Sequence, residues 1–251
     1  MRILVTNDDG IDAPGIKVLE RIARGLSKDV WVVAPETQQS ASSHSLTLHR
    51  PLRSRRISKR RHAVNGTPTD CVFLAFNKIM ADGPPDMVLS GVNDGPNVGE
   101  DVTYSGTIAA AMEATLFGAP AVAFSQAYGD GRKHHWATAE QWAGRLLPKL
   151  IERGWPKRVL INVNFPDLPA ADVRGVKVVR QGLHALDDTL EERIDPRGRP
   201  YYWIGAQLPA AGSGQRGTDM SALDEGYVSV TPLHMDLTHR RTLTWLREVI
   251  E

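Results

Sequence analysis

Sulfur chemistry is nearly absent from this sequence, whose 251 residues include one cysteine, Cys71. A single thiol makes neither an internal disulfide nor a Cys/His zinc pattern. An excess of either charge is missing too: 30 Lys+Arg stand against 29 Asp+Glu, a formal net charge of +1. Dedicated nucleic-acid binders carry a marked basic excess, so no nucleic-acid partner is expected. No apolar run approaches the ~18 residues that a membrane helix takes, and no membrane association is expected. The stretch Ile3-Leu4-Val5 is too short for the apolar core of a secretory signal, so a reducing, cytoplasmic setting is the expectation. A phosphate loop ending in Gly-Lys-Ser/Thr is absent as well. What remains, 41% hydrophobic and 24% charged residues, is the composition of a globular protein. A chain of this length buries roughly 70–75% of the surface its unfolded form exposes.

The apolar residues fall in an alternating rhythm. Ile3-Leu4-Val5 reads as a strand closed by the loop Asn7-Asp8-Asp9-Gly10. Pro14-Gly15 then opens a stretch with Ile16, Leu19, Ile22, Ala23 and Leu26 on one helical face. Strands are expected again at Val30–Ala34, Asp86–Ser90, Ala121–Ser125 and Val159–Val163, with helices at Asp70–Met80, Thr107–Phe117 and Trp136–Ile151. Continuous apolar runs suit parallel strands buried on both faces. The pattern predicts an α/β fold, a Rossmann-like, doubly wound, mostly parallel sheet with right-handed crossovers. Residues Ser45–Asn65 interrupt it with strand-like pieces (Leu46–Leu48, Ile57, Ala63-Val64) and predict a β excursion on the sheet edge. The core is expected over residues 1–166. Residues 167–251, with strand-like pieces at Val176–Val179, Tyr201–Ile204 and Tyr227–Val230 and a helix at Leu237–Ile250, predict a smaller β-rich extension that serves subunit contacts.

In open α/β sheets, ligands bind beyond the carboxyl ends of the strands. Three loops at such ends hold unusual polar chemistry: Asn7–Gly10, Gln38–Ser43 and Ser90–Asn97. Adjacent carboxylates such as Asp8 and Asp9 repel by about 4 kcal/mol at 4 Å and the effective dielectric of a protein surface. A divalent cation reverses that sign, and oxygen ligands favour Mg²⁺ or Mn²⁺ over Zn²⁺. An isolated Asp-Asp-Gly is more often a plain turn. The third loop argues for more, with five glycines and three prolines from Gly83 to Gly106 before Ser105-Gly106-Thr107 enters an alanine-rich helix. Ser105 and Thr107 are candidate phosphate contacts there, with helix capping as their ordinary alternative role. A cation site beside an anion cradle suggests phosphoryl transfer.

Other signals are set aside. Gly212-Ser213-Gly214-Gln215-Arg216-Gly217 has the dinucleotide spacing, but it follows no strand and Thr218–Ser221 opens no apolar helix. Seven cations between Arg50 and Arg61 read first as a solvated edge hairpin guarded by charge. Cys71 reads as core, and His134, His135 and His234 as weak catalytic candidates.

Taken together, these blocks resemble a known family. Ile3–Ile16, Ala34-Pro35, Gln39–Ser43, Gly66–Val72, Ser90–Asn97, Tyr104–Thr107, Asp224–Tyr227 and Thr231–His234 are similar, in order, to the survival protein SurE family of metal-dependent 5′-nucleotidases. The resemblance implies a Rossmann-like core whose C-terminal extension exchanges segments between subunits, giving a homodimer or homotetramer. It implies one divalent metal ion per subunit, Mg²⁺ or Mn²⁺, held by Asp8, Asp9, Ser40 and Asn93, with Asp8 and Asp9 catalytic. Asn97, Ser105, Gly106 and Thr107 match the family's phosphate side. The implied reaction hydrolyses nucleoside 5′-monophosphates, and in some members 3′-monophosphates and short polyphosphate. Water attack and a phospho-aspartate on Asp8 are both open as routes. Two readings from other classes stand beside it: a nucleotide-binding regulator without turnover, and a polyanion or RNA partner working through Arg50–Arg61.

Overall fold

The computed structural model describes residues 1–129, 134–183, 190–204 and 215–251. In chain order its elements are β1 (Arg2–Thr6), α1 (Pro14–Leu26), β2 (Asp29–Pro35), β3 (Ser54–Ser58), β4 (Arg61–Val64), α2 (Pro68–Leu74), β5 (Met87–Asp94), α3 (Gly106–Leu116), β6 (Ala121–Gln126), α4 (Trp136–Arg153), β7 (Val159–Phe165), β8 (Val176–Val178), β9 (Leu190–Ile194), β10 (Pro200–Ile204), α5 (Asp219–Asp224), β11 (Val228–His234) and α6 (Arg240–Ile250). A π-helical turn, Ala75–Ile79, extends α2, and a 3₁₀ turn, Gly99–Thr103, precedes α3.

The continuous apolar strands lie where both faces are covered. Nine strands form one sheet in the order β3-β4-β2-β1-β5-β6-β7-β11-β8. Pairing is parallel from β4 through β7 and between β11 and β8, and antiparallel between β3 and β4 and between β7 and β11. Successive side chains of a strand point to opposite faces. Ile3 and Val5 therefore join the core that α1 and α4 cover, while Leu4 joins the one under α2 and α3. Four of the five residues of β1 are buried, the pattern of a strand at the centre of a doubly wound sheet.

Strand order reverses at β1. From β1 the chain steps outward through β2 to β4, then returns to place β5 on the other side of β1. The β1/β5 boundary is the topological switch point, where crevices form in open α/β sheets.

Several details differ from the sequence reading. β5 runs on through Asp94, so Gly91–Asp94 is strand where the glycine pattern suggested loop; its register against β6 shifts between Ser90 and Asn93. The edge excursion is present as β3 and β4, but Leu46–Leu48 is no strand because it runs out along the surface with Leu46 and Leu48 exposed. Thr218 does open a helix, short α5. The Thr218 side chain accepts from Ser221 N–H and the Ser221 side chain accepts from Thr218 N–H, a reciprocal cap that needs no long apolar face. Gly212–Gly214 of the rejected glycine pattern lie outside the described residues. Beyond Phe165, β8 and β11 extend the main sheet, whereas β9 and β10 form a separate two-stranded antiparallel sheet. No helix among the described residues is long and apolar enough to cross a membrane.

Candidate metal and phosphate site

Asp8 and Asp9 follow β1, and Asn93 lies near the end of β5, so the switch point brings them together. Asp8 is buried, and α3 aims its first turn at it: the backbone N–H groups of Gly106 and Thr107 lie on the side of its carboxylate and favour its charge. The Thr107 hydroxyl donates to Asp8 Oδ1 as well, and lies 3.4 Å from Asn93 Oδ1. Helix N-termini favour negative charge because their N–H groups are unsatisfied and aligned. Gly106 has to be a glycine in this packing: a Cβ there would stand 2.7 Å from Asp8 Cβ and 2.9 Å from Ser42 Oγ.

Asp9 is half-buried and accepts the Asp94 N–H through Oδ2 at 3.1 Å. Burial, with the neighbouring Asp8 charge adding to it, pushes its carboxyl up to about 7. Burial likewise raises Asp8 against the pull of its hydrogen bonds. Both shifts report negative charge that lacks a counter-charge.

The loop carrying Ser40 is tied down beside them. Gln39 N–H donates to the Asp8 carbonyl at 2.7 Å, Ser43 N–H to the Tyr104 carbonyl, and Ser43 Oγ to the Thr103 carbonyl. His44 meets Glu113 of α3 at 2.8 Å, and Thr47 donates to the buried carboxylate of Asp70 from both its N–H and its hydroxyl. Ser40 itself is exposed, its Oγ accepting from Gln38 Nε2, and no described hydrogen bond joins it to Asp8, Asp9 or Asn93.

These residues fit a hard divalent cation. Among the described residues no Lys, Arg or His pairs with Asp8 or Asp9, and no three His, Cys, Asp or Glu side chains converge as a metal cluster. The available donors are thus two carboxylates with amide and hydroxyl oxygens, the chemistry that suits Mg²⁺ or Mn²⁺. The Oδ1 of Asn7 and the Oγ of Ser42 are buried without a partner beside them. Ser42 belongs to a loop the sequence singled out, but nothing in the spacing marked it above its neighbours.

Of the phosphate-side candidates, Ser105 caps α3, accepting from Ile108 N–H at 3.1 Å. Asn97 is held on three sides. Its N–H donates to Asn164 Oδ1, its carbonyl accepts from Asn162 and Asn164, and its Nδ2 donates to Ser125 Oγ. These buried amides lie in β7 and were not signalled by a run that read simply as apolar. His134 bonds Asp94 at 2.9 Å and stacks on Tyr128 at the rim of the same loop. The basic segment is partly neutralised: Arg55 pairs with Glu36, Arg60 with Asp29, and Arg61 with Glu20.

The profile of the family Survival protein SurE matches residues 3–188. The chain belongs to the SurE family. A protein named 5′-nucleotidase SurE from Paramagnetospirillum magneticum is 58% identical over 240 residues, covering 96% of this chain and 92% of the relative. One of the same name from Parvibaculum lavamentivorans is 54% identical, covering 100% of this chain and 91% of its own. The crystal structure of the Sure protein from Aquifex aeolicus superposes with a TM-score of 0.86 at 39% identity over the full length of both chains. The SurE fold is thereby shared from end to end.

Proposed function

We propose that the chain is a divalent-metal-dependent phosphatase that hydrolyses nucleoside 5′-monophosphates to nucleoside and phosphate. What carries the reading is full-length similarity, at 50–58% identity, to relatives named 5′-nucleotidase SurE, joined to a switch-point cluster of hydroxyls and of carboxylates that, among the described residues, have no cationic partner. Asp8, Asp9, Ser40 and Asn93 would hold one Mg²⁺ or Mn²⁺ ion per subunit, which would supply charge neutralisation and lower the pKa of a water.

The chain's own residues do the rest. The Thr107 hydroxyl fixes the Asp8 carboxylate in one orientation, and the N–H groups at the start of α3 favour its charge. Asp8 or Asp9 orients the attacking water and takes its proton, and the departing ribose oxygen is protonated to leave as the nucleoside. The Ser105 hydroxyl, which only accepts at the helix cap, and the remaining amide N–H of Asn97 hold the oxygens of the phosphoryl group, where preorganised donors stabilise developing charge. The same site accommodates 3′-monophosphates and short polyphosphate only if the ribose is not the main handle.

The extension beyond residue 166 serves subunit contacts. A homodimer or homotetramer is the assembly this reading expects, and it is supported by α6, which has no buried residue and leaves Leu243, Trp245, Leu246, Val249 and Ile250 uncovered. The site needs no membrane, and soluble nucleotides in the cytoplasm are its expected supply.

The decisive experiment is a phosphate-release screen over nucleoside monophosphates and polyphosphate with Mg²⁺ and Mn²⁺, with EDTA and Asp8→Asn as controls. Release from 5′-monophosphates, abolished by EDTA and reduced at least ~10³-fold by Asp8→Asn, is expected. Undiminished release by Asp8→Asn overturns the proposal.

A further inference from the structure

The loop between β5 and α3 is held by residues of the distant extension. Asp219, the first residue of α5, is fully buried. Its Oδ2 accepts the Gly99 N–H at 3.0 Å, while Oδ1 accepts the N–H groups of Gly182 at 2.8 Å and Met220 at 2.9 Å. Gln181, beside Gly182, donates its Nε2 to the Gly99 carbonyl at 2.7 Å. Both polar groups of Gly99 are thus held from the extension, and Gly99 sits at φ +54, a left-handed conformation suited to glycine. Two residues upstream Asn97 is held by β7; six residues downstream Ser105 caps α3, whose first turn meets Asp8.

A buried carboxylate is costly, and no cationic side chain among the described residues pairs with Asp219. Burial accordingly raises its carboxyl against the pull of its N–H partners. Groups held at such a cost are concentrated where geometry has to be kept.

We infer that Asp219 is a positioning residue for the phosphate side of the site: from the C-terminal extension it fixes the Gly99 peptide, and through it the segment Asn97–Thr107. No described hydrogen bond joins Asp219 to Asp8, Asp9, Ser40 or Asn93. The extension therefore completes the site within its own chain, in addition to any role between subunits. The inference rests on the proposed function in taking Asn97–Thr107 as the phosphate side.

The test compares the full-length protein with Asp219→Asn, which sets an amide NH₂ against the Gly99 N–H, and with Gln181→Met, which frees the Gly99 carbonyl at a less buried position. Three quantities are read: KM and kcat for adenosine 5′-monophosphate, inorganic phosphate affinity in the presence of Mn²⁺, and Mn²⁺ affinity by itself. Asp219→Asn raises KM and weakens phosphate binding by about tenfold, the scale of one charge-assisted hydrogen bond. Mn²⁺ affinity stays within about twofold, and Gln181→Met moves KM in the same direction by less. Unchanged KM and phosphate affinity in both variants overturn the inference. So does a parallel loss of Mn²⁺ affinity and thermal stability that accounts for the change in KM, which marks a merely structural role. If the unsubstituted protein turns over no nucleotide while phosphate affinity still falls in Asp219→Asn, the nucleotidase reading fails and the positioning role stands.

Discussion

Asp8 and Gly106 show how one residue's chemistry constrains another's size. The acid is tolerated in the interior because the start of α3 comes within hydrogen-bonding distance of it, and only a residue without a Cβ allows that approach. Gly106→Ala forces α3 or the Asp8 loop to move. A displacement near 1 Å at a catalytic group costs ~10²-fold in rate. The expected outcome is a fall of about that size in kcat/KM with loss of most Mn²⁺-induced stabilisation, read by kinetics and thermal melts. Asp9 makes a pH prediction. Its carboxyl titrates at about 7 when folded, against 3.8 unfolded, so between those values the folded state binds more protons. Stability from this group is present below the unfolded value and is lost as pH rises through about 7. A cation that replaces the proton restores it, and added Mn²⁺ therefore raises Tm more at about pH 8 than at about pH 5.5. Equal rises at both pH values, or the same pH dependence in Asp9→Asn, contradict this.

Among the elements, α3 carries the site through its ends and its packing rather than through any amphipathic stripe. Nine of its eleven residues are buried, from Gly106 to Thr115, so it lies on the sheet as an internal helix while its first turn is spent on Asp8. α2 is capped by a reciprocal pair in which Thr67 accepts from Asp70 N–H and Asp70 accepts from Thr67 N–H. The same Asp70 carboxylate takes two bonds from Thr47, so a helix cap also anchors the loop that carries Ser40. At the other edge, β3 is fully exposed and lined by Arg55 and Arg56. Charge of one sign along an unpaired edge discourages strand addition, and the ion pairs to Glu36, Asp29 and Glu20 give the segment a structural use.

For the whole molecule, the uncovered apolar residues gather in the extension. Tyr201, Tyr202, Trp203 and Ile204 of β10 stand exposed, as do five apolar residues of α6. Scattered exposure is ordinary in soluble proteins, whereas a helix with its entire apolar face uncovered marks a surface for another chain. The expected mass in solution is two or four times 27.6 kDa. Paired substitutions Trp245→Glu and Leu246→Glu shift it toward the single-chain mass, as measured by sedimentation equilibrium. A monomeric parent protein contradicts the assignment of α6 to an interface.

Local sequence determined the β/α rhythm and pointed to the loops of the candidate site. Continuous runs such as Val30–Ala34 can be buried on both faces only inside a covered sheet. Adjacent acids followed by glycine at a strand end, and a glycine- and proline-dense segment before Ser105, are local signals because turn chemistry and charge repulsion act between neighbours. Tertiary structure alone decided the rest. No pattern within β7 announces that Asn162 and Asn164 grip Asn97, since their periodicity is that of a strand and their partner lies 67 and 65 residues away for Asn164 and Asn162. Asp219 reads as a helix-start acid, and its bond to Gly99 spans 120 residues. Even Gly106, legible as a small residue at a helix start, owes its necessity to Asp8, 98 positions earlier by the numbering. Spacing along a chain encodes which face a side chain takes. Which distant backbone N–H will need that side chain's oxygen is settled only when the sheet order has been made.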